Sequence, residues 1–218
     1  MGDAVMKNIG TVTMGIVLAS LALTGCEEKT PDSAPPFSTP PTDCLEVQAV
    51  AKDAVSSYAG ELYDPKTEFR PEQPQKESAT VLTCYGAFVN NASRGDGADA
   101  TGIRAATVFI AITVNQPGSW GDKDPVNETE RSFTSYRDQH SPAVKIVNGI
   151  GDDAYSFHEI SSTDAAAETD FRVANATVHI RLNRTFAGPS TPEQGPAVER
   201  HALEVARALA GGFDRVMK

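Results

Sequence analysis

Thr-Val-Phe-Ile-Ala-Ile-Thr-Val, residues 107–114, is the clearest β-strand of the sequence. All but one of its residues are β-branched or aromatic, and these types fit a pleated, half-buried surface. Its even-numbered positions are uniformly apolar, whereas its odd-numbered positions are mixed. We therefore expect a strand with one buried face.

Other strands are predicted on the same grounds. Residues 170–173 and 177–182 read as a hairpin about Asn175, because Val178, Ile180 and Leu182 would share one face. The remaining candidates are residues 81–89 and 154–160, with a short apolar segment at residues 144–147.

Three helices are predicted around these strands. Asp43 is a plausible N-cap for the first, which carries an apolar stripe at three- and four-residue spacings made by Val47, Val50, Ala51, Ala54, Val55 and Tyr58. Asp124 caps the second, with Pro125 at its first position and an inner face of Thr129, Phe133 and Tyr136. The third runs from about residue 196 to residue 210 and ends at Gly211-Gly212.

The order of these elements is helix, two strands, helix, three or four strands, helix. Few strand-helix-strand crossovers exist to make a sheet parallel. We therefore expect an α+β fold for residues 44–218 as a single domain. It would contain a mainly antiparallel sheet of about five strands flanked by helices, stapled by a disulfide.

The N-terminal region reads as a lipoprotein leader. Residues 12–23 form an apolar run behind Lys7, too short to span a bilayer but suited to the core of a signal peptide. Leu23-Thr24-Gly25-Cys26 closes it as a lipobox. We expect residues 1–25 to be removed and Cys26 to carry a diacylglycerol. The alternatives are an ordinary secretory signal with an incidental cysteine, or a buried helix of a cytosolic protein, and the sequence leaves Met1 or Met6 as the start.

Residues 26–43 combine this cysteine with a proline-rich tether. The segment holds five prolines and little apolar content, so it favours extended polyproline II. At about 3.1 Å per residue, residues 27–43 would reach roughly 50 Å. We predict a protein of the cell membrane, anchored by lipid at its extracellular, envelope face, since two acyl chains suffice for stable attachment.

The formal net charge of −10 limits the partners. An acidic protein repels phosphate backbones, so nucleic-acid binding is not expected. It is also a poor match for anionic lipid, so membrane contact would come from diacylglyceryl-Cys26 alone.

Cys44 and Cys84 remain as a pair once Cys26 is lipidated. In an oxidising compartment such a pair predicts a disulfide, which would close a loop of about 40 residues and stabilise the fold by roughly 4 kcal/mol. Two free buried thiols and half of a metal site are the alternatives.

Several features together resemble a group of actinobacterial lipoproteins known only as a domain of unknown function. These are the lipobox, the tether, a cysteine at the first helix, Cys84-Tyr85 at the first strand, the turn Gly149-Ile150-Gly151-Asp152-Asp153-Ala154 and a closing alanine-rich helix. More remotely, the layout is similar to the PsbP-like fold, a sheet covered by helices. The resemblance implies location and fold; it implies no reaction and no catalytic residue.

The histidines do not predict a metal or catalytic site. His140, His158, His179 and His201 have no second histidine at ligand spacing, so a structural or surface role is expected for each. The acidic pairs lack the spacing of a calcium loop and are expected to be solvated; they are Asp96/Asp99, Asp122/Asp124 and Asp152/Asp153. No cofactor is expected.

Glycine and serine motifs are equally uninformative about chemistry. Gly149-x-Gly151 lacks the third glycine of a phosphate loop and is better explained as a turn that needs positive φ. Ser119 lacks the Gly-x-Ser-x-Gly context of a hydrolase nucleophile.

Trp120, alone in a Gly/Pro loop, is the candidate contact residue, since aromatic side chains anchor interfaces. It could instead fold back onto its own domain. The sequence thus predicts a module that is not an enzyme and that binds an envelope protein or a small ligand. The alternative is an envelope hydrolase, which would need a pocket where a histidine meets a carboxylate and a Ser or Thr.

Overall fold

Strand β3 (Ile103–Val114) lies inside one antiparallel sheet of seven strands. The computed structural model describes residues 36–72, 80–89, 102–117 and 124–217, which belong to one compact unit. Along the sheet the order is β1-β2-β3-β7-β6-β5-β4. The other strands are β1 (Arg70–Pro71), β2 (Val81–Val89), β4 (Lys145–Ile146), β5 (Asp153–Ile160), β6 (Asp164–Val173) and β7 (Ala176–Phe186).

The helices are α1 (Cys44–Ala59), α2 (Pro125–Gln139), α3 (Gln194–Gly211) and α4 (Phe213–Val216), with a short 3₁₀ turn at Gly60–Leu62. Among them, none combines the length and the apolar content that crossing a bilayer requires. The α+β class, the antiparallel sheet and the flanking helices are therefore as predicted, although the sheet has seven strands rather than about five.

One face of the sheet, here called the inner face, carries the main core. Ile110 of β3 lies opposite Ile180 of β7, and both are fully buried. Helices α1 and α3 pack over this face, with Val198, Ala202, Val205 and Leu209 of α3 turned inward. The predicted apolar stripe of α1 and the apolar face of α3 are thus the surfaces that cover the sheet.

The opposite face, here called the outer face, is covered in part by α2. Phe133 of α2 packs on Tyr155 of β5 at 5.0 Å between ring centroids, and Phe157 joins them in a second, smaller core. Tyr136 was expected to face inward but is 41% exposed, whereas Glu128 of the same helix is buried. Thr129 and Phe133, predicted for the same face as Tyr136, are buried as expected.

Cys44 and Cys84 form the predicted disulfide, with their Cα atoms 5.5 Å apart. It joins the first turn of α1 to the middle of β2 on the inner face.

The strand ends differ from expectation where alternation is weak. Strands β1 and β4 have two residues each, too few for a period to show. Strand β6 starts at Asp164 rather than Asp170, through an alanine run of low β-propensity. Pairing with β5 and β7 on both sides makes this run a strand.

Phe37 lies in the segment predicted as tether, yet it packs on the domain. Its ring meets Phe213 edge-on at 5.3 Å between centroids. Its N–H donates to Asn175 Oδ1 at 3.1 Å, and Asn175 Nδ2 donates back to its carbonyl at 2.8 Å. Cys26, residues 1–25 and residues 27–35 of the tether lie outside the described residues.

Candidate functional site

An open groove on the outer face is the main concavity of interest. It has a volume of about 930 Å³ and lies on the part of the sheet beside α2. Its floor and sides come from five strands and the ends of two loops, with Glu72, Tyr85, Thr107, Phe109, Glu159, Ile160, Ser161, Asp164, Ala166, Arg181 and Asn183 lining it. Within the described residues, no helix covers the outer-face side chains of β2, β3 and β7 that line the groove.

The groove combines aromatic surface with negative charge. Tyr85 is 44% exposed at one side, and Phe109 of β3 lies directly opposite both Tyr85 and Arg181 in the sheet register. Among the lining residues, the carboxylates are Glu72, Glu159 and Asp164, against the single guanidinium of Arg181. The groove is therefore suited to a group that is apolar in part and positively charged in part.

Asp164 is held in its charged form. The hydroxyl of Thr185 donates to its Oδ1 at 2.7 Å, and the hydroxyls of Thr163 and Ser161 donate to its Oδ2 at 3.1 and 3.3 Å. These hydrogen bonds, with that of Thr185 the strongest, lower the pKa of the carboxyl below its ordinary value. A fixed negative charge thus stands at one end of the groove.

A second group of charged residues adjoins the groove on the same face; we call Glu168, Asp170, His179 and Arg181 the strand-pair cluster. Asp170 lies opposite His179, and Glu168 lies opposite Arg181, on the paired strands β6 and β7. His179 Nδ1 is 2.8 Å from Asp170 Oδ1, and Arg181 hydrogen-bonds to Glu168. Arg181 belongs to both surfaces, since it also lines the groove.

The strand-pair cluster shifts the pKa of its own member His179 and of the neighbouring Tyr155. Burial lowers the pKa of His179, but the hydrogen bond to Asp170 and the charges of Asp170 and Glu168 outweigh it and raise the pKa overall. Burial, followed by the charge of Asp170, raises the pKa of Tyr155 well above its ordinary value. Tyr155 is therefore a neutral phenol beside the cluster.

A third arrangement lies at the edge of the inner face, around Glu199 of α3. Glu199 is only 5% exposed, and its carboxylate meets Lys145 Nζ at 2.6 Å, Ser156 Oγ at 2.5 Å and His158 Nδ1 at 2.7 Å. Gly195, one turn earlier, lets α3 approach closely, because a Cβ there would lie 2.4 Å from the His158 ring.

This arrangement does not have the order of a serine hydrolase. In such an enzyme the serine donates to the imidazole, and the carboxylate binds the far nitrogen of that ring. Here Glu199 stands in the middle, and Ser156 donates to the carboxylate. Within the described residues, no serine or threonine hydroxyl hydrogen-bonds to any of the four histidines.

The two other histidines have local partners. His140 stacks on Phe157 at 5.1 Å between ring centroids, at the end of α2. His201 lies 3.0 Å from Glu204 and packs against Tyr58. All four histidines were expected to have structural or surface roles, and the carboxylate partners of His158 and His179 were not predicted. The partner of His158 is 41 residues away, whereas the hairpin about Asn175 already carried a signal for the partner of His179.

Other predicted positions are placed as follows. Gly149 and Gly151 have φ of 79° and 58°, as the turn requires. Asp152 accepts a hydrogen bond from the Ala174 N–H at 2.7 Å, and Asp124 caps α2. Trp120, Ser119, Asp96, Asp99 and Asp122 lie outside the described residues.

The sequence matches no model of a known protein family and no curated protein. Among solved structures it is similar to the Zhui aromatase/cyclase from Streptomyces sp. R1128, at 14% identity and a TM-score of 0.23. The match covers 84% of this chain and 93% of that chain. A likeness this distant carries no argument about function.

Proposed function

We propose that this protein is a lipid-anchored module of the bacterial cell envelope that binds a ligand or partner protein in the outer-face groove, without catalysis. The observation that carries the proposal is the groove itself, a stretch of sheet that no described helix covers, with exposed Tyr85 and the hydrogen-bonded carboxylate of Asp164 among its lining residues. Exposed aromatic side chains beside oriented polar groups are typical of contact surfaces.

The partner should present a cation next to an apolar group. Asp164 and Glu159 supply negative charge, and Tyr85 and Phe109 supply aromatic surface within the same groove. An amine or guanidinium would find both a carboxylate and a ring face there. Trp120 is proposed as a further contact residue.

Photo-crosslinking in cells tests the groove. A photoreactive amino acid replaces Tyr85 in the full-length protein, and Leu45 on α1, which is 54% exposed, serves as the matched position away from the groove. We expect an adduct of discrete mass at position 85 that is absent at position 45. Glu159→Lys should weaken the adduct, because it reverses the charge at the groove edge. The same adducts at both positions, or none, would contradict the proposal.

The anchor has its own test. We expect Cys26→Ser to move the protein from the membrane pellet to the soluble fraction after a high-salt wash, because no acyl chain would remain. The wild-type protein under the same wash should stay in the pellet. A substituted protein that still pellets would refute lipidation at Cys26 and leave the groove proposal standing.

A further inference from the structure

We propose that Glu168, Asp170 and His179 form a binding site for a divalent transition-metal ion of the zinc class. This inference goes beyond the binding groove and does not depend on it. The geometry is the first support. Each of the three residues offers a ligand atom, and these atoms lie within 4.8 Å of one another.

The three ligands lie on β6 and β7, two interior strands of the sheet. Glu168 and Asp170 are two residues apart on β6 and so share the outer face. His179 lies opposite Asp170 on β7, in a register set by the tight turn at Ala174-Asn175. Strands on both sides hold β6 in place, so the three side chains start from fixed backbone positions.

A buried oxygen without a partner is the second, independent support. Asp170 is 7% exposed, and its Oδ1 pairs with His179. Its Oδ2 is buried and has no partner of ordinary hydrogen-bond geometry within the described residues, although the neutral Tyr155 hydroxyl, opposite it on β5, interacts with the Asp170 carboxylate. A buried carboxylate oxygen left unpaired is costly, so such an atom calls for a cation or another donor.

The local charge also fits a divalent ion. Glu159, Glu168 and Asp170 contribute three negative charges, and Arg181 contacts both Glu159 and Glu168 with one positive charge. With His179 neutral, as a metal ligand must be, these groups carry a net charge of −2. A divalent cation would neutralise this patch.

The donor set indicates which ion. One imidazole nitrogen with two carboxylate oxygens suits zinc and similar first-row metals, whereas calcium and magnesium prefer oxygen ligands alone. The Arg181–Glu168 pair would have to share Glu168 with the ion. Without a metal ion, only Arg181 and His179 could supply positive charge to balance the carboxylates of the strand-pair cluster.

Zinc binding by the full-length protein in detergent tests the site. After chelator treatment and dialysis, titration calorimetry with ZnCl₂ should find one ion per chain, and the Tm should rise with zinc. Asp170→Asn and His179→Gln should each weaken binding at least 100-fold. His158→Gln, which disrupts a histidine–carboxylate pair on the inner face, should bind as the wild type does.

A second measurement needs no substitution. Co²⁺ added to the wild-type protein should give the visible absorption bands of a site with nitrogen and oxygen ligands, and Zn²⁺ should displace it. The inference is overturned if the wild type takes up no stoichiometric zinc and shows no cobalt bands. It is also overturned if His158→Gln loses binding while the cluster variants, shown to be folded by circular dichroism, keep it.

Discussion

Cys44 and Cys84 join α1 to β2 across 40 residues of sequence, and both sulfurs are buried in the main core. The disulfide thus ties the first helix to the strand that it covers. Everything between the two cysteines, including β1 and the 3₁₀ turn, lies within the closed loop.

Removing this disulfide should destabilise the fold. We expect Cys44→Ser with Cys84→Ser to lower the free energy of unfolding by about 4 kcal/mol, because the unfolded chain regains the entropy of an open loop. Urea denaturation measures the loss. Wild-type protein unfolded in dithiothreitol is the control and should approach the variant, and detection of free thiols in unreduced, denatured wild type would contradict the pairing.

Two glycines of one turn should respond differently to alanine. Gly149 and Gly151 both have positive φ, but a Cβ on Gly149 meets nothing within 4 Å, whereas one on Gly151 would lie 2.3 Å from the Arg172 carbonyl oxygen. Gly149→Ala should lower the free energy of unfolding by about 1–2 kcal/mol, because alanine is strained in the left-handed backbone conformation. Gly151→Ala should lower the free energy of unfolding by clearly more than Gly149→Ala does. Thermal denaturation of the two variants measures the difference. Equal losses would mean that the close approach to Arg172 has no effect.

Glu199 should make stability depend on acid pH. Burial raises the pKa of this carboxyl, but hydrogen bonds from Lys145, Ser156 and His158 outweigh it and lower the pKa below the ordinary value of 4.5. The stabilisation is therefore complete above pH 4.5 and is lost as the pH falls through the folded-state pKa. Glu199→Gln should cost about 2 kcal/mol at pH 7, by loss of charge-assisted hydrogen bonds.

Urea denaturation at several pH values checks this prediction. The difference between wild type and Glu199→Gln should narrow below pH 4.5, because only the wild type can take up the proton there. Glu204→Gln on the same helix is the control, because the Glu204 carboxylate also meets a histidine, His201, at 3.0 Å. It should lower the free energy of unfolding at neutral pH by less than Glu199→Gln does. A constant difference from pH 7 to pH 3 would argue against the linkage.

The N-cap of α1 should contribute measurably to the stability of the fold. Asp43 Oδ1 accepts hydrogen bonds from the N–H groups of Leu45 at 2.9 Å and Glu46 at 3.3 Å. We expect Asp43→Ala to lower the free energy of unfolding by about 1 kcal/mol, and Asp43→Asn to lose much less, since asparagine also caps well. Equal loss in both variants would exclude a capping effect.

The helices and the long strands could be predicted because local signals agree with tertiary packing. Asp43 and Asp124 cap the helices that they were expected to cap. Residues 81–89 form β2 with the predicted bounds, because alternation there matches a strand buried on one side only. The first half of β6 could not be predicted in the same way, since Ala165, Ala166 and Ala167 carry no alternation.

The candidate site was less accessible to sequence analysis. The hairpin about Asn175 was predicted, and a two-residue turn fixes which residues face each other: Asp170 with His179, and Glu168 with Arg181. Because the predicted strand began at residue 170, the pair of Glu168 with Arg181 was not predicted. The groove and the Glu199 contacts could not be derived, because they join residues whose separation along the chain has no periodic signature.

Phe37, held by two hydrogen bonds with Asn175, also fixes where this part of the chain joins the domain. Asn175 sits at the tip of the β6–β7 hairpin, whereas Asn183 of the groove lies about eight residues, or roughly 26 Å, farther along β7. A ligand in the groove would therefore contact the domain toward the end of β7 that lies away from the hairpin tip holding Phe37.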